Sequence, residues 1–331
     1  MRRRAALPLV FAALLVVLTT ARVGRLAYEG TGPAPQTIDV VVPEGGSGVI
    51  ADALMQAHVI ESPLVFRVAV FLTRGQGPLH AGEFLIPAGA SLRQVLDILR
   101  HGSPVQHQLT IPEGLTSAQI TKILDGAAVA TGNAPLPAQG AVLPQTYDYL
   151  WGTPRAKILA RAEDAMQSQL AAAWAQRAPG LPLASPAEAL TLASIVQAET
   201  PLPAELPSIA AVYENRLNKG MKLQADPTVI FAQTGGAQTG GAAISRTDLA
   251  SASPYNTYAH AGLPPGPICA PGLAAITAVL HPANIPSLYF VATGNGGHVF
   301  TTDFSDHLKN VAAYHAALKS AHEKGDHKRV P

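Results

Sequence analysis

The sequence predicts an α+β protein, with a small α/β module in its first third and a larger mixed α+β domain behind it. A repeated pattern predicts the module: an apolar pair, a proline, a glycine and a helical stripe recur at 41–54, 86–99 and 111–124. Capped helical segments followed by a hairpin signal predict the larger domain. Because 48% of the 331 residues are hydrophobic and only 14% are charged, the chain can form a substantial core and is not of the disordered class.

Charge, cysteine and histidine usage exclude several classes of function. A net charge of +1, with no basic patch interleaved with aromatics, gives no basis for nucleic-acid binding. Cys269 is the only cysteine, so the chain can form neither an intramolecular disulfide nor a CxxC metal cluster. The eleven histidines lack metal-ligand spacing, and the sequence contains no G-x-S-x-G motif and no phosphate-binding loop.

The N-terminus predicts a transmembrane helix. Three arginines at 2–4 precede the uncharged run 5–21, which is at the short end of the lengths that span a bilayer. The arginines favour a cytoplasmic N-terminus, with the rest of the chain outside the cytoplasm. No convincing small-x-small cleavage site follows, so we expect a cytoplasmic start and uncleaved anchor over 1–22 and a linker over 23–36.

Each copy of the repeated pattern predicts a strand, a turn and a short helix. Ser91 and Thr116 are suited to cap the helices of the second and third copies. The apolar segment 64–72 is compatible with a strand or a buried helix, and its periodicity does not distinguish the two. These units predict a module over 37–105, and the third copy opens a larger domain over 106–320.

The larger domain contains clear helix signals. Ser185-Pro186-Ala187-Glu188 is a capping box with proline at the first helical position, and Pro201 opposes continuation, so we expect a helix over 186–199. The same reasoning predicts helices over 154–177, 207–219 and 303–324, a hairpin over 287–302 and a charged tail over 321–331.

The end of the helix over 186–199, "LASIVQAET", carries an acid where an apolar residue is expected. At about 100° per residue, Glu199 falls between Ile195 and Val196 on the predicted buried face. Gln197 points away from that face. Burial disfavours a charged carboxylate, so we expect Glu199 to have the raised pKa that a general acid needs. The alternatives are a half-exposed boundary residue or the partner of an arginine, for which Arg216 is available, and the pattern alone does not decide between them and a general acid.

Polar side chains in two further segments are candidates for ligand contacts. Asp226 precedes a proline in "LQADPTVIF", which is also a common turn or helix-start device. The loop "SPYNTYAHAGLPPGPICAPG" carries Tyr255, Asn256 and Tyr258. Aromatic hydroxyls and an amide without charge suit stacking on sugars and hydrogen bonding to them, although such loops are often structural connectors. His298, in the predicted hairpin, is expected to be structural.

Four long segments, in this order, resemble a known family. They are "LASIVQAET", "AAVYENRLNKGMKLQADPTVIFA", "SPYNTYAHAGLPPGPICAPG" and "LYFVATGNGGHVFTTDFSDH". Together they closely resemble the endolytic murein transglycosylase (YceG-like) family over roughly 110–315. The resemblance implies a LysM-like N-terminal module and an inner-membrane protein that cuts nascent peptidoglycan strands internally, without a metal or cofactor. It also implies that Glu199 is the catalytic residue.

The implied reaction assigns roles to the other candidates. Gln224, Tyr255, Asn256 and Tyr258 are expected to hold the glycan, and Asp226 to orient that wall of the site or support developing positive charge. One carboxyl suffices for a lytic reaction, because the attacking oxygen is the C6 hydroxyl of muramic acid. Two alternatives stay open: a hydrolase with Glu199 as acid and Asp226 as base, and a non-catalytic anchored scaffold that holds peptidoglycan synthases near the wall.

The sequence also departs from the family pattern. Gln197 stands where the family usually has glutamate, on a position expected to lie off the buried face. Gln139 and Gln145 replace acids in the segment "QGAVLPQTY", and Ala270 replaces the asparagine of an "NPG" motif. These departures concern the substrate groove rather than the reaction class.

Overall fold

The structure, a computed structural model, describes residues 6–241, 243–294 and 296–326. The arginines at 2–4, Ala242, Asn295 and the tail beyond Asp326 lie outside the described residues. Within the described part, three two-stranded sheets lie among twelve α-helices, which confirms the predicted α+β class.

The elements include the predicted ones and several that the sequence did not predict, namely a strand at Thr146–Leu150 and helices at Asp226–Gln233, Arg246–Leu249 and Leu273–Leu280. The helices are α1 (Ala6–Glu29), α2 (Ser47–Gln56), α3 (Pro63–Leu72), α4 (Leu92–His101), α5 (Ser117–Asp125), α6 (Arg155–Ala175), α7 (Pro186–Glu199), α8 (Leu206–Asn218), α9 (Asp226–Gln233), α10 (Arg246–Leu249), α11 (Leu273–Leu280) and α12 (Phe304–Asp326). The strands are β1 (Ile38–Val42), β2 (Gly82–Ile86), β3 (Gln106–Thr110), β4 (Thr146–Leu150), β5 (Tyr289–Ala292) and β6 (His298–Thr301), paired as β1-β2, β3-β4 and β5-β6.

The chain divides into two compact units. Unit 1 comprises the residues through His107 together with Ala128–Ala130 and Asp148–Thr153. Unit 2 comprises Gln108–Ala127, Thr131–Tyr147 and the residues from Pro154 onward. The predicted module over 37–105 therefore falls within unit 1, and its LysM-like character stays a prediction.

Unit 1 confirms the strand–turn–helix interpretation of its two pattern copies. β1 pairs with β2 in antiparallel register, with Ile38 opposite Ile86. Ser91 caps α4 in a complete capping box, since its hydroxyl accepts from the backbone N–H of Gln94 and that side chain returns to the N–H of Ser91. The ambiguous segment 64–72 is helical because Ser62 caps it and a proline occupies its first position.

The N-terminal helix α1 extends further than predicted. It continues to Glu29, so the first part of the expected linker over 23–36 is helical rather than irregular. The first strong helix-ending signal is Gly30, and an Arg25–Glu29 ion pair of 2.8 Å supports the last turn. Within the described residues, no helix has both the length and the apolar character needed to cross a membrane. The predicted anchor is thus not confirmed.

Helix α7 lies at the centre of unit 2. Every residue from Thr191 to Val196 is buried, because α6, α8, α9 and α11 pack around the helix. The prediction of a single buried face was therefore wrong, since periodicity cannot show how many neighbours surround a helix. Gln197, Ala198 and Glu199 are each half-buried, so α7 leaves the core at its C-terminal end.

The ends of the other predicted elements are largely confirmed. Ser185 caps α7 by accepting from the N–H of Glu188, but the Glu188 carboxylate accepts from Ala184 rather than closing the box on Ser185. Helix α8 ends before Gly220, whose φ of 64° places it in the left-handed region. The hairpin is antiparallel, with Tyr289 opposite Thr301.

Candidate active site

Glu199 stands at the last position of α7, where the helix leaves the core. Tyr213 of α8, only 1% exposed, donates its hydroxyl hydrogen bond to Oε1 of Glu199. Tyr213 reaches Glu199 because it shares a buried face of α8 with Ile209, and α8 packs against α7. The carboxyl is therefore held from the protein side while the residue keeps partial access to solvent.

The surroundings of Glu199 favour its protonated form. Burial raises the pKa of Glu199 to about 7, against the opposing effect of the Tyr213 hydrogen bond. The negative charge of Asp226 adds to the rise and the positive charge of Arg216 opposes it. A carboxyl that titrates near neutral pH can both give and take a proton under physiological conditions. Burial, followed by the neighbouring Glu199, raises the pKa of Tyr213 well above its usual range, so its hydroxyl stays a donor.

Arg216 does not form the ion pair with Glu199 that the alternative interpretation proposed. Its side chain is 7% exposed and its guanidinium donates to the carbonyls of Leu288 at 2.7 Å and Leu223 at 2.6 Å. The guanidinium also lies 5.3 Å from the ring centroid of Tyr289. Arg216 thus ties α8 to two other segments and acts on Glu199 only through its charge.

Asp226 and Tyr258 form a second polar pair that interacts electrostatically with Glu199. Tyr258 donates from its hydroxyl to Oδ1 of Asp226 at 2.6 Å. Asp226 is exposed and is the first residue of α9, but the N-cap position belongs to Ala225 and the Asp226 side chain makes no capping bond. The helix-start interpretation of Asp226 is therefore confirmed, because Asp226 and the proline after it open α9, although Asp226 forms no capping bond. Burial, with a further contribution from Asp226, raises the pKa of Tyr258 above its usual range.

The backbone before Asp226 is fixed against the loop that carries Tyr258. The N–H of Gln224 donates to the carbonyl of Thr257 at 3.2 Å, and the N–H of Ala225 donates to the Thr257 hydroxyl at 2.9 Å. Gln224 has a φ of 51°, an uncommon value for a residue other than glycine. Its side chain is exposed beside Asp226 in the sequence, as a ligand contact requires.

Asn256 occupies a different place from the one predicted. Its side chain is fully buried, and its amide nitrogen donates to three carbonyls of the preceding segment, those of Asp248, Leu249 and Ser251. Its amide oxygen accepts from the N–H of Tyr258 at 2.9 Å. Asn256 therefore shapes the loop and cannot reach a ligand, because every polar group of its side chain is already used within the protein.

Tyr255 is half-buried and contacts the core. Its ring lies 4.9 Å from that of Phe231, centroid to centroid. The ring thus has only part of its surface available to a ligand, whereas Tyr258 presents a hydroxyl already paired with Asp226. The structure brings Tyr258 and Asp226 toward Glu199 but gives Tyr255 a packing role as well.

The departures from the family pattern hold backbone segments together. Gln139 accepts from the N–H of Ser117 at 3.0 Å and donates to the carbonyl of Ile268 at 2.6 Å. Gln197 accepts from the N–H of Gly272 at 3.0 Å and so fixes the backbone of that segment. Ala270 is buried and bonds through its backbone to Leu115 and Gly114, and Gln145 hydrogen-bonds Tyr147.

Sequence reasoning missed Tyr213 as the partner of Glu199. A signal was available, because a phenol on an otherwise apolar helix face needs a buried hydrogen-bond partner. The pair formed by Glu205 and His298 had no such signal, since 93 positions separate the two residues.

The polar groups at this site suit proton transfer and hydrogen bonding. They are two carboxyl groups and two phenol hydroxyls, on Glu199, Asp226, Tyr213 and Tyr258. No group of three or more histidine, cysteine, aspartate or glutamate side chains in the described ranges is arranged to hold a metal ion. The chemistry that this arrangement offers is general acid–base catalysis by one carboxyl with a second one nearby.

Comparison with known proteins gives consistent matches. Residues 40–313 match the model of the YceG-like family. The chain is 29% identical over 324 residues to the endolytic murein transglycosylase of Bacillus subtilis (strain 168), covering 87% of each protein. It is 27% identical over 324 residues to that of Streptococcus pneumoniae serotype 2, covering 84% of this chain and 58% of the relative. A crystal structure of a yceG-like protein from Listeria monocytogenes matches with a TM-score of 0.52 at 26% identity, over 83% of this chain and 98% of that one.

Proposed function

The chain belongs to the YceG-like family, and from that premise we propose that it is an endolytic peptidoglycan lytic transglycosylase. The reaction cleaves nascent glycan strands between N-acetylmuramic acid and N-acetylglucosamine, leaves 1,6-anhydro ends and so terminates strand elongation. The observation that carries the proposal is the half-buried Glu199 at the end of α7, hydrogen-bonded by Tyr213 and protonated near neutral pH. The activity named for the Bacillus and Streptococcus relatives supports it.

Glu199 performs both proton transfers of the reaction. Its carboxylic acid protonates the leaving glycosidic oxygen as the bond to C1 of muramic acid breaks. The resulting carboxylate then takes the proton of the C6 hydroxyl, whose oxygen bonds to C1 and closes the anhydro ring. The enzyme returns to its protonated state and no water is consumed. A pKa of about 7 suits this double role, because neither transfer is strongly uphill.

Tyr213 determines which oxygen of Glu199 does the chemistry. Its hydroxyl donates to Oε1, so the acidic proton resides on Oε2. Tyr213 is buried with the core behind it, which leaves Oε2 for the substrate. The hydrogen bond also stabilises the carboxylate that forms after the first transfer.

Asp226, Tyr258 and Gln224 form the proposed substrate side of the site. Asp226 is exposed and its charge, held by Tyr258, can stabilise positive charge that develops at C1. Gln224 and Tyr255 are proposed glycan contacts, whereas Asn256 acts only by holding the loop.

For the remaining parts of the chain we propose roles in wall binding and membrane anchoring. We propose that the module over 37–105 is LysM-like and binds peptidoglycan, and that the N-terminal segment anchors the domain over 106–320 on the outer side of the inner membrane. Peptidoglycan synthases are proposed partners, since termination must act on growing strands.

Product analysis in heavy-oxygen water tests the reaction. The full-length protein in detergent is incubated with nascent glycan strands in H₂¹⁸O, and the fragments are analysed by mass spectrometry. We expect anhydro ends that lack one molecule of water and carry no label. Labelled reducing ends would instead indicate a hydrolase. This is the second candidate, because the exposed carboxylate of Asp226 could act as its base. No cleavage of strands that an authentic lytic enzyme cuts would favour the scaffold.

Two substitutions should shift the pH profile in opposite directions. Activity needs protonated Glu199, so kcat/KM falls as pH rises through its pKa. Asp226→Asn removes a charge that raises this pKa, so the alkaline limb of the pH profile should move to lower pH. Tyr213→Phe removes a hydrogen bond that lowers the pKa of Glu199, so the alkaline limb should move to higher pH. The measurement is kcat/KM from about pH 5 to about pH 9, with Asp164→Asn, an exposed carboxylate on α6, as the control. Shifts in the same direction would contradict the proposed electrostatics.

A further inference from the structure

A hydrogen-bonded Glu–His pair connects the hairpin of unit 2 to the segment that follows α7. Glu205 accepts from the backbone N–H of His298 at 2.8 Å and from ring Nδ1 of the same residue at 2.7 Å. The two side chains are only 17% and 13% exposed. The pair is thus bidentate and largely shielded from solvent. Although burial acts against it, these hydrogen bonds hold the pKa of Glu205 below its usual range, so the carboxylate stays charged.

One side of this pair leads directly to Glu199. Thr200, the next residue in the chain and 3% exposed, donates its hydroxyl to Glu205 at 3.2 Å. The same hydroxyl accepts from the N–H of Leu202 at 3.1 Å. These bonds fix the extended backbone that ends α7, and with it the position from which the Glu199 side chain departs.

The other side of the pair leads to Tyr213. The His298 ring contacts Phe290 edge to face, with centroids 5.4 Å apart at 82°. Phe290 in turn contacts the Tyr213 ring edge to face, at 5.8 Å and 88°. A closed circuit of contacts therefore runs from Glu199 through Thr200, Glu205, His298, Phe290 and Tyr213 back to Glu199, and the Tyr213 hydroxyl completes it.

The close approach of the hairpin leaves little room for a side chain at Gly297. A Cβ placed there would lie 3.1 Å from Oε1 of Glu205. The turn before β6 thus places both the backbone N–H and the ring of His298 against the Glu205 carboxylate.

We propose that the Glu205–His298 pair positions the Tyr213–Glu199 hydrogen bond, so that both residues of the pair are positioning residues for the acid. The proposal rests on the proposed function of Glu199. Without the pair, the hairpin no longer presses Phe290 against Tyr213, and the backbone after α7 loses a hydrogen-bond partner. Neither residue of the pair touches the substrate in this role.

The chain contains a matched control for this pair. In unit 1, His107 lies 2.5 Å from the Glu83 carboxylate, with side chains 25% and 13% exposed. This pair has the same chemistry and similar burial but belongs to no circuit through Glu199. Glu83→Gln therefore reports the effect of losing a half-buried His–Glu pair without disturbing the acid.

We expect Glu205→Gln to lower kcat by between about 10- and 100-fold, the loss expected from a small misplacement of the acid. The alkaline limb of kcat/KM should move to higher pH, as in Tyr213→Phe, because the same Tyr213–Glu199 hydrogen bond is weakened. In a Tyr213→Phe background the further loss should be small, since both changes act through one contact. Phe290→Leu, which keeps an apolar side chain in place, should reproduce the limb shift and guards against a Glu205 variant that fails to fold.

We expect Glu83→Gln to lower Tm without changing kcat or the alkaline limb of the pH profile. The proposal would be overturned if Glu205→Gln behaved in the same way. Full additivity with Tyr213→Phe would also overturn it. An NMR titration of the Glu199 carboxyl, assigned by its loss in Glu199→Gln, gives the same test without substrate. If the parent protein cuts no glycan, the proposed function fails, while an upward shift of this titration in Glu205→Gln would still support the positioning.

Discussion

Glu199→Gln is expected to lower the rate of glycan cleavage by about 10²- to 10⁴-fold, the range for loss of a general acid. We expect the upper part of this range because, in the proposed mechanism, one carboxyl serves both proton transfers. Glutamine keeps the size of the side chain and an oxygen that can accept from Tyr213, so unit 2 should remain folded. The measurement is the rate of fragment release by the full-length protein, beside its circular dichroism spectrum and Tm.

The control for this loss is a second carboxylate in the same site. In the lytic mechanism Asp226→Asn should cost much less than Glu199→Gln, because Asp226 only supports charge. A hydrolase would need both carboxyl groups, and the two variants would then be similarly inactive. Substantial cleavage by Glu199→Gln, with anhydro ends, would remove Glu199 from the mechanism altogether.

The position of Glu199 would allow a single acid to be both precisely positioned and accessible to substrate. Helix α7 is buried on all sides from Thr191 to Val196, so it is a rigid support. The helix reaches the surface only in its last turn, where Glu199 is partly shielded from water. Deeper burial would hold the proton too tightly to transfer it. Full exposure would leave the carboxyl ionised at neutral pH.

Local signals in the sequence predicted most element boundaries but not the surroundings of the acid. Ser185 and the prolines after Glu199 mark the ends of α7, because caps and prolines act within a few residues. The complete burial of α7 depends on helices far away in the sequence, which periodicity does not report. Asn256 was misassigned for a related reason: composition shows that a loop is polar, but not whether its own backbone already uses those polar groups.

Glu214 offers the largest expected effect on stability. It follows Tyr213 on α8, is 5% exposed, and its Oε1 has no hydrogen-bond partner among the described residues. Burial raises the pKa of Glu214 from 4.5 to about 8. The folded protein thus keeps a proton that the unfolded chain releases between these values. The free energy of unfolding must therefore fall as pH rises from 4.5 toward 8.

Glu214→Met should remove this penalty while filling a similar volume. We expect the variant to exceed the parent in free energy of unfolding by about 4 kcal/mol near the upper end of this pH range, with a much smaller difference near its lower end. Urea denaturation followed by the fluorescence of Trp174, which packs against the core of unit 2, measures the difference. The exposed control Asp164→Asn should change little at any pH.

The pH dependence separates this explanation from simple gain of apolar contact. A gain that was the same at low and high pH would show that methionine packs better but that Glu214 does not titrate as inferred. Glu214→Gln distinguishes the two further, because it removes the titration and keeps a buried polar group that still lacks a partner. It should therefore abolish the slope with pH yet remain less stable than Glu214→Met. Cleavage activity should survive both changes, since Glu214 has no part in the circuit around Glu199.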